Sequence, residues 1–434
     1  MEQQKNIPEI RFPEFKENWN ENFFVELFSF ISTNSLSREQ LNYEAGYVKN
    51  IHYGDIHTKF ATLFDINKET VPFINEEISL TKIKNGNFCI EGDVLFADAS
   101  EDLKDVGKSI EIIKLNNQKV LAGLHIIHSR PEKNIFSIGF LGFLMKSVFI
   151  RNQIQREAQG TKVLSISGVR LSGINVIYPN ILEQQKIASF FTAIDQKISQ
   201  LRRKKTLLEH YKKGVMQRIF SQEPNEGGSR TPLKNKQPRE QIRFRDDNGK
   251  EFPMWEKKRL GDLVLFRNGK AHEQEISEDG KYIVVNSKFI STDGEVRKFS
   301  DHQICPLEFG EIVIVMSDIP NGKALAKCFY IDKDDSYTLN QRIGALKAKK
   351  CHARFLMYII NRNEYYLKFD SGVGQTNLKK DEVLGCPLYL PNSILEQSKI
   401  ANFLSAIDTK INHTQTQIEK AELWKKGLLQ KMFM

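Results

Sequence analysis

The chain has 434 residues, of which 40% are hydrophobic and 10% aromatic, so it is long enough for two or more globular domains and is not a disordered tail. Its formal net charge of +9 favours a polyanionic partner without identifying one. Five cysteines without a C-x-x-C pair, and apolar runs that all fall short of the roughly 18 residues of a membrane span, exclude a disulfide framework and a transmembrane protein. These features predict a cytoplasmic protein.

The first segment, residues 1–180, is predicted to be a globular module with strands and helices. It opens with Ile10-Arg11-Phe12 followed by Trp19. Short runs of β-branched and aromatic residues bounded by turn residues predict strands, and a later stretch predicts a helix. The predicted strands include 92–96, 110–113 and 120–127, and the predicted helix is 139–158.

The segment Glu183–Phe220 follows, and it occurs twice. It returns as Glu396–Phe433 at a constant offset of 213 residues, with 17 of 38 positions identical. Chance would give roughly two identities, so this is an internal repeat. Neither copy contains proline, and each begins with a glutamate that suits a helix N-terminus. We therefore predict two long helices.

Apolar residues recur in both copies at the alternating three- and four-residue spacing of a coiled-coil seam. We predict that the two helices pair with each other. The alternative is that each helix is buried separately in an ordinary core. The residues predicted to form the pairing are Ile187, Phe191, Ile194, Ile198, Leu201, Leu208, Val215, Ile400, Leu404, Ile407, Ile411, Ile418 and Leu428.

Residues 222–241 contain Gly227-Gly228-Ser229 and three prolines, which predicts a flexible polar linker. The second module, 242–392, then opens like the first, with Ile242-Arg243-Phe244 and Trp255. Between their shared beginnings and ends the two modules diverge in sequence. The second has predicted strands at 282–285, 310–315 and 327–331 and a predicted helix at 355–367.

Catalytic motifs are missing. Gly107-Lys108-Ser109 nearly completes a phosphate-binding loop, but Asp102 stands where the first glycine is required. The Asn/Asp-Pro-Pro-aromatic loop of amino-methylating methyltransferases does not occur. The histidine pairs, His52 with His57 and His125 with His128, have no convincing third metal ligand nearby in sequence. We predict neither catalytic residues nor a metal site.

The order of module, helix, linker, module and helix resembles the specificity (S) subunit of type I restriction–modification systems. The resemblance covers essentially the whole chain. It is carried by Leu-Glu-Gln-x-Lys-Ile-Ala, which begins at Leu182 and Leu395, by Ala-Ile-Asp-x-Lys-Ile at Ala193 and Ala406, and by the repeated Ile-Arg-Phe…Trp openings.

The resemblance implies an α+β fold in which two globular α/β target-recognition domains alternate with two long helices that pair as an antiparallel coiled coil. The implied boundaries are 1–180 for the first recognition domain, 181–221 for the first helical spacer, 222–241 for the linker, 242–392 for the second recognition domain and 393–434 for the second spacer.

The resemblance also implies a function. Each recognition domain would read one half of a bipartite, asymmetric site in double-stranded DNA, and the helices would dock two copies of an adenine-methylating (M) subunit, joined by restriction and translocating (R) subunits. This chain would carry no cofactor, whereas S-adenosylmethionine, ATP and Mg²⁺ would serve the partner subunits. Two alternatives are a non-catalytic coiled-coil scaffold that docks proteins without reading DNA, and an enzyme with a divergent site.

Gln and Arg are the side chains that read adenine and guanine edges, and lysines hold phosphates. Asn340-Gln341-Arg342 matches a family-like strand opening, and Gly123-Leu124-His125 occupies the corresponding place in the first module. For any single residue, the alternative is an ordinary solvated charge. The predicted DNA contacts are Lys49, Tyr53, Lys82, Lys84, His125, Arg130, Lys133, Lys288, Lys323, Lys327, Gln341, Arg342, Lys347, Lys349 and Lys350.

Overall fold

The computed structural model describes residues 7–221 and 242–433, except 273, 320, 321 and 371. The predicted linker 222–241 lies outside the described residues. Contacts divide the chain into two compact units, unit 1 (Met1–Arg203 with Gln415–Met434) and unit 2 (Lys204–Thr414). Within the described ranges, no helix combines the length and apolar character that crossing a membrane requires.

Unit 1 contains the first module, which mixes short strands with short helices. Two 3₁₀ helices cover Arg38–Gln40 and Asn85–Asn87. The other elements, in chain order, are β1 (Asn20–Phe23), α1 (Phe24–Leu27), β2 (Phe28–Ile31), β3 (Leu41–Asn42), β4 (Lys49–Ile51), α2 (Tyr53–Thr58), β5 (Leu63–Asp65), β6 (Phe73–Ile74), β7 (Val94–Ala97), β8 (Ala99–Ser100), β9 (Ser109–Lys114), β10 (Val120–Ala122), β11 (Ile126–Pro131), α3 (Leu141–Leu144), α4 (Val148–Glu157), β12 (Leu164–Ser165), α5 (Gly168–Ser172) and β13 (Asn175–Tyr178).

The first long helix, α6 (Ile181–Phe220), runs from unit 1 into unit 2. Unit 2 contains the second module, and the second long helix ends in unit 1. The elements after α6 are β14 (Glu256–Arg259), α7 (Leu260–Leu263), β15 (Val264–Asn268), β16 (Ile276–Ser277), β17 (Tyr282–Val285), α8 (Ser287–Ser291), β18 (Phe299–Ser300), β19 (Ile312–Val315), β20 (Ser317–Asp318), β21 (Cys328–Tyr330), β22 (Tyr337–Leu339), β23 (Ile343–Ala348), α9 (Ala353–Ile360), α10 (Glu364–Leu367), β24 (Thr376–Asn377), α11 (Lys380–Leu384), β25 (Pro387–Leu390) and α12 (Ile394–Lys431).

The two modules share one sheet topology although their sequences diverge. The central sheet has the order β2-β11-β7-β9-β5 in module 1 and β15-β23-β19-β21 in module 2. A second sheet has the order β10-β4-β6-β3 in module 1 and β22-β17-β18-β16 in module 2, and its first pair is parallel in both. The internal repeat therefore extends from the long helices to the sheet topology of the modules, apart from β5, an additional edge strand of module 1.

Several predicted elements are interrupted in the structure. The predicted strand 120–127 is two strands, β10 and β11, because the loop between them ends in a residue with a left-handed backbone, His125 (φ 59°). The predicted helix 139–158 is two helices, since the Ser147 side chain accepts a hydrogen bond from the Ile150 N–H at 3.3 Å and starts α4 anew. The predicted helix 355–367 likewise divides into α9 and α10, with Asn363 capping the second.

A buried glutamate in the first turn of each long helix attaches the helix to the opening of its module. In unit 1, Glu183 accepts hydrogen bonds from Nε and Nη2 of Arg11, each at 2.7 Å. In unit 2, Glu396 accepts one from Nε1 of Trp255 at 3.1 Å. A carboxylate removed from water must be paired or hydrogen-bonded, so each glutamate requires the repeated Ile-Arg-Phe…Trp segment beside it.

The neighbouring glutamine makes the same contacts in both units. Gln184 donates to the carbonyl of Pro179 at 2.8 Å, and Gln397 donates to that of Pro391 at 2.7 Å. Each side-chain oxygen accepts a backbone N–H of its own module, at 2.8 and 2.7 Å respectively. The Glu-Gln pair of the repeated motif therefore fixes the direction in which each long helix leaves its module.

The long helices contact each other within each unit. In unit 1, Nζ of Lys425 lies 2.5 Å from Oδ1 of Asp195, and Nη2 of Arg202 lies 2.5 Å from Oε1 of Glu422. The partners run in opposite directions, because the residue later in α6 meets the residue earlier in α12. In unit 2, Nζ of Lys212 lies 2.5 Å from an oxygen of Asp408, which is the same pair related by the 213-residue repeat.

The predicted apolar seam faces inward within the unit to which each residue belongs. Leu208, Ile411 and Leu428 are half-buried. The buried members are Ile187, Phe191, Ile194, Ile198, Leu201, Val215, Ile400, Leu404, Ile407 and Ile418.

We predict that Ile194→Asp destabilises the protein strongly while Leu207→Asp does not. Ile194 is 6% exposed in the core of unit 1, whereas Leu207, on the same helix, is 58% exposed. An unpaired carboxylate at the buried position costs several kcal/mol, and at the exposed position well under about 1 kcal/mol. Chemical denaturation followed by circular dichroism measures both. Equal loss of stability in the two variants would contradict a buried seam at Ile194.

Candidate nucleic-acid interface

Equivalent loops connect the two sheets of each module. The inter-sheet loop of module 1 is 123–125, and that of module 2 is 340–342. Each begins with a backbone hydrogen bond to the parallel neighbour strand, from Gly123 N–H to Ile51 O at 2.9 Å and from Asn340 N–H to Val285 O at 3.1 Å. The correspondence predicted from the sequence is therefore a correspondence of position in the fold.

The last residue of each inter-sheet loop has a left-handed backbone. His125 has φ 59° and Arg342 has φ 66°, and both side chains are exposed. Their carbonyls accept N–H groups from Asp98 and Met316, each at 3.0 Å. A left-handed conformation costs a non-glycine residue roughly 1–2 kcal/mol, and such strain concentrates at binding sites. Two modules of different sequence thus retain the same strained position and place an exposed polar side chain there.

In module 1, His125 lies in a cluster of aromatic and acidic groups. The His125 ring packs edge-on against Tyr53, with 5.3 Å between the ring centroids. Nδ1 of His125 lies 3.2 Å from Oδ1 of Asp98, within ion-pair distance. Burial raises the pKa of Asp98. Tyr53 is the first residue of α2, directly after the capping residue His52.

Ion pairs to the buried Asp55 hold α2 in place. Nη1 and Nη2 of Arg38 donate to the two oxygens of Asp55 at 2.9 and 3.0 Å, and Lys59 adds a contact at 2.9 Å. Burial alone would raise the pKa of Asp55, but these hydrogen bonds outweigh burial and lower the pKa. Burial, and next the Arg38 charge, lowers the pKa of His52, so this histidine is neutral at pH 7 and accepts the Gly54 N–H at 3.1 Å.

In module 2, a buried histidine is hydrogen-bonded to β22, the strand that leads into the inter-sheet loop. His272 is 1% exposed, with Nε2 2.8 Å from Oγ1 of Thr338 and Nδ1 2.7 Å from the carbonyl of Lys270. The Lys270 N–H in turn donates to the carbonyl of Leu339, next to the loop, at 3.1 Å. Gln341 and Arg342, in the loop itself, are exposed.

Most residues predicted to contact DNA are at the surface. Lys49, Tyr53, Arg130 and Lys327 are half-buried. Lys327 already donates to Ser291 O and Asp293 Oδ2, both at 2.9 Å, and Lys347 lies 2.5 Å from Glu308. The exposed members are Lys82, Lys84, His125, Lys133, Lys288, Lys323, Gln341, Arg342, Lys347, Lys349 and Lys350.

Arg130, one of the predicted DNA contacts, makes hydrogen bonds inside module 1. Its Nε and Nη2 donate to the two oxygens of buried Asp93, both at 2.8 Å, and its remaining donors reach the carbonyls of Gly86 and Phe88 at 3.2 and 2.8 Å. Its guanidinium is therefore occupied internally. The sequence grouped Arg130 with the surface cations, because no local pattern indicates an ion-pair partner 37 residues away.

Among the described residues, one buried group has metal-ligand chemistry: Cys89, Asp93 and His128. Nε2 of His128 lies 2.6 Å from Asp93, whose two oxygens also bind Arg130. Burial raises the pKa of the Cys89 thiol, so it stays protonated. The guanidinium occupies the carboxylate and supplies the positive charge that a metal would bring, and we assign the group to the core.

Sequence reasoning missed the residues that surround the inter-sheet loops. Asp98, Arg38 and Asp55 did not stand out as candidates, because each gains its significance from a partner distant in sequence, as Asp98 does from His125. A left-handed residue between two strands is also hard to foresee, although a short polar loop after a β-type run is a signal that could have suggested it.

A family model described as "Type I restriction modification DNA specificity domain" matches residues 16–210 and 254–423, one match in each half of the chain. The chain belongs to this specificity family. The two matches begin near the two tryptophans of the opening segments and end within the long helices, which is the repeat that the sequence and the topology show.

Relatives within the specificity family are distant. The type I restriction enzyme MjaVIII specificity subunit of Methanocaldococcus jannaschii is 24% identical over 306 residues, 67% of this chain and 67% of that protein. The StySPI specificity subunit of Salmonella potsdam is 24% identical over 327 residues, 67% of this chain and 64% of that protein. Proteins of this kind are non-catalytic components of restriction–modification complexes, and this chain is not an enzyme by itself.

The fold of the specificity family is also seen in a solved structure. The crystal structure of a type I restriction–modification system S subunit from M. genitalium matches with a TM-score of 0.59 and covers 99% of both chains at 14% identity. At this identity the likeness establishes the fold, including its mixed α/β content and long helix.

We predict that Arg130→Ala destabilises the protein by about 3–5 kcal/mol, since it leaves Asp93 buried without its cation. Lys133→Ala, at an exposed position nearby in sequence, is the matched control and should be close to neutral.

The stability should also depend on pH. Burial alone would raise the pKa of Asp93, but the contacts with Arg130 and His128 outweigh burial and lower the pKa. The stability that Asp93 contributes is therefore present above the usual aspartate pKa and is lost as pH falls through its lower folded value. Denaturant titration at neutral and acidic pH measures both effects. If Arg130→Ala left the free energy of unfolding unchanged, the structural role of Arg130 would be contradicted and it would again be a candidate for the DNA interface.

Proposed function

We propose that the chain is the sequence-specific DNA-recognition subunit of a type I restriction–modification complex, in which each module reads one half of a bipartite, asymmetric site. One observation carries this proposal. The two modules share a topology and a strained, exposed loop position, yet they present different side chains there, Gly-Leu-His at 123–125 and Asn-Gln-Arg at 340–342. The same scaffold with unlike reading residues suits a site with unlike halves.

The chemistry of the loops fits base reading in the major groove. Arg342 can bind O6 and N7 of guanine with two hydrogen bonds, and Gln341 can bind the edge of adenine. His125 presents an exposed imidazole ring, whose Nδ1 lies beside Asp98. Exposed lysines such as Lys349 and Lys350 would hold phosphates, which gives affinity without sequence preference.

In this proposal, α6 and α12 pair as one antiparallel coiled coil, which supports two functions. It sets the distance between the two half-sites, since a protein that reads one face of B-DNA needs them about one helical turn apart. It also docks two copies of an adenine-methylating subunit, which restriction and translocating subunits join. The proposed complex is cytoplasmic. S-adenosylmethionine, ATP and Mg²⁺ would be bound by the partner subunits.

A scaffold that docks proteins without reading DNA is the alternative. It gives no reason for a strained, exposed polar residue at equivalent positions of both modules. It also predicts little DNA affinity, whereas phosphate contacts make DNA affinity fall steeply with salt.

Each module should be replaceable as a cassette. We predict that exchanging residues 260–390 for the corresponding segment of a relative changes one half of the methylated motif and leaves the spacer length unchanged, because the helices are untouched. Methylome sequencing of a host carrying the exchanged chain and its methylating subunit measures this. A change in both halves together would show that the modules do not read DNA independently.

Within module 2, Arg342→Ala should relax the base requirement at one position, at a cost of about 1–3 kcal/mol if Arg342 binds a guanine. Lys349→Ala is the matched control, because it should weaken binding to all sequences alike and reduce the salt dependence of binding by about one phosphate. Competition binding with a set of single-base variants of the site separates the two. Uniform weakening by Arg342→Ala would assign this residue to phosphate instead.

A further inference from the structure

A cavity of about 270 Å³ in unit 1 is surrounded by positive charge. Its lining comes from the loop before β9, from the turn between α3 and α4, from α4 and from the end of α12. This volume is slightly below the roughly 300–1,000 Å³ of sites for drug-sized molecules. The lining residues are Lys104, Asp105, Lys108, Ser109, Met145, Lys146, Arg151 and Leu429.

The two most buried cations of this cavity bind neutral oxygens. The Lys146 ammonium donates to the hydroxyl of Thr62. The guanidinium of Arg151 donates to the carbonyls of Lys104, Val106 and Gly107 at 2.9, 2.6 and 2.9 Å. In the part of the chain that the structure describes, neither cation has a carboxylate within ion-pair distance.

The carboxylates near the cavity belong to other lysines. Asp105 lies 3.7 Å from Nζ of Lys108, and Asp195 lies 2.5 Å from Nζ of Lys425. The nearby Glu111 is directed elsewhere, since its two oxygens accept the N–H groups of Gly139 and Gly142, each at 2.6 Å. These two carboxylates are matched by Lys108 and Lys425, so the two more buried cations, Lys146 and Arg151, remain without a carboxylate, and the exposed Lys104 adds further positive charge.

Burial and the neighbouring positive charges disfavour the protonated form of Lys146. Burial lowers its pKa to about 8, and the neighbouring charges of Lys425 and Lys108 add to the effect. Burial likewise lowers the pKa of Arg151. Buried charges in proteins are normally paired, so an excess of cations around a cavity calls for an anion.

The equivalent region of module 2 provides an internal comparison. Lys327 corresponds to Lys108, because its carbonyl accepts the same N–H of the central strand. Lys327 lies 2.9 Å from Asp293, and Lys212 shares Asp408 with the hydroxyl of Tyr358, which is 2.6 Å away. Lys327 and Lys212 are thus paired with carboxylates as Lys108 and Lys425 are in module 1, which leaves Lys146 and Arg151 as the unmatched cations of the cavity.

We propose that the cavity between α4, β9 and the end of α12 binds a phosphate-type oxyanion, held by Lys146 and Arg151. A doubly charged tetrahedral anion matches the charges of these two cations, and lysine and arginine are its usual donors in proteins. The anion would bind residues of the first module and of the C-terminal helix together. This site is separate from base reading and does not depend on it.

The experiment uses the full chain and inorganic phosphate, measured by thermal unfolding and calorimetry against chloride at equal ionic strength. Wild type should bind phosphate and melt at a higher temperature in it. Lys146→Met should melt at a higher temperature than wild type without phosphate and should lose about tenfold or more in phosphate affinity, as expected when one charged donor is removed. Lys146→Arg should retain binding. Lys420→Met, at an exposed position on α12, is the control and should behave as wild type.

The pH dependence provides a second readout. The lowered pKa of Lys146 means that the unbound ammonium loses its proton above about pH 8. A bound oxyanion favours the charged form, so phosphate affinity should fall as pH rises above about 8 in wild type but not through this group in Lys146→Met. Equal phosphate stabilisation of wild type and Lys146→Met, or no stabilisation of wild type, would overturn the proposal.

The source of the oxyanion is separable in the same samples. If the site takes a phosphate of the DNA backbone, Lys146→Met lowers the salt dependence of duplex binding by about one phosphate and inorganic phosphate competes with the duplex. If it takes free phosphate, duplex binding is unchanged. Loss of DNA binding by wild type itself would contradict the proposed function and leave the phosphate result standing.

Discussion

The organisation of the chain depends on a buried carboxylate at the start of each long helix. Glu183 and Glu396 are almost completely buried, and each needs a donor from the segment that opens its module, Arg11 in one case and Trp255 in the other. This requirement explains why two motifs far apart in sequence occur together twice. It ties the start of each module to its exit, so that the residues between them are free to vary.

The two modules differ in their exposed loop residues more than in their framework. The strand order, the parallel strand pair and the left-handed position at the end of the inter-sheet loop are the same, whereas the exposed residues differ. In module 1, His125 lies beside Tyr53 and Asp98. In module 2, Arg342 is exposed at the end of a loop whose preceding strand is hydrogen-bonded to the buried His272. The matching family model describes a DNA specificity domain, and we propose that these loops carry the specificity.

The long helices and the modular order could be predicted from the sequence, because heptad spacing and a gapless repeat are local signals. The predicted seam residues are buried or half-buried within their units. The contacts of the surface cations were harder to predict. Lys349 is exposed as predicted, but Arg130 is occupied by Asp93, and the pairing depends on strands β7 and β11 meeting in the central sheet. Single residues do not reveal such contacts, since the partner is chosen by the topology.

The central claim is that two unlike modules on one chain read two unlike half-sites. The most direct measurement is the adenine methylome of a host that carries the unaltered chain with its methylating subunit, compared with the same host lacking the chain. The account predicts one methylated motif made of two different half-sites with a gap of fixed length, present only when the chain is present. A continuous or palindromic motif, or a methylome that does not depend on the chain, would contradict it.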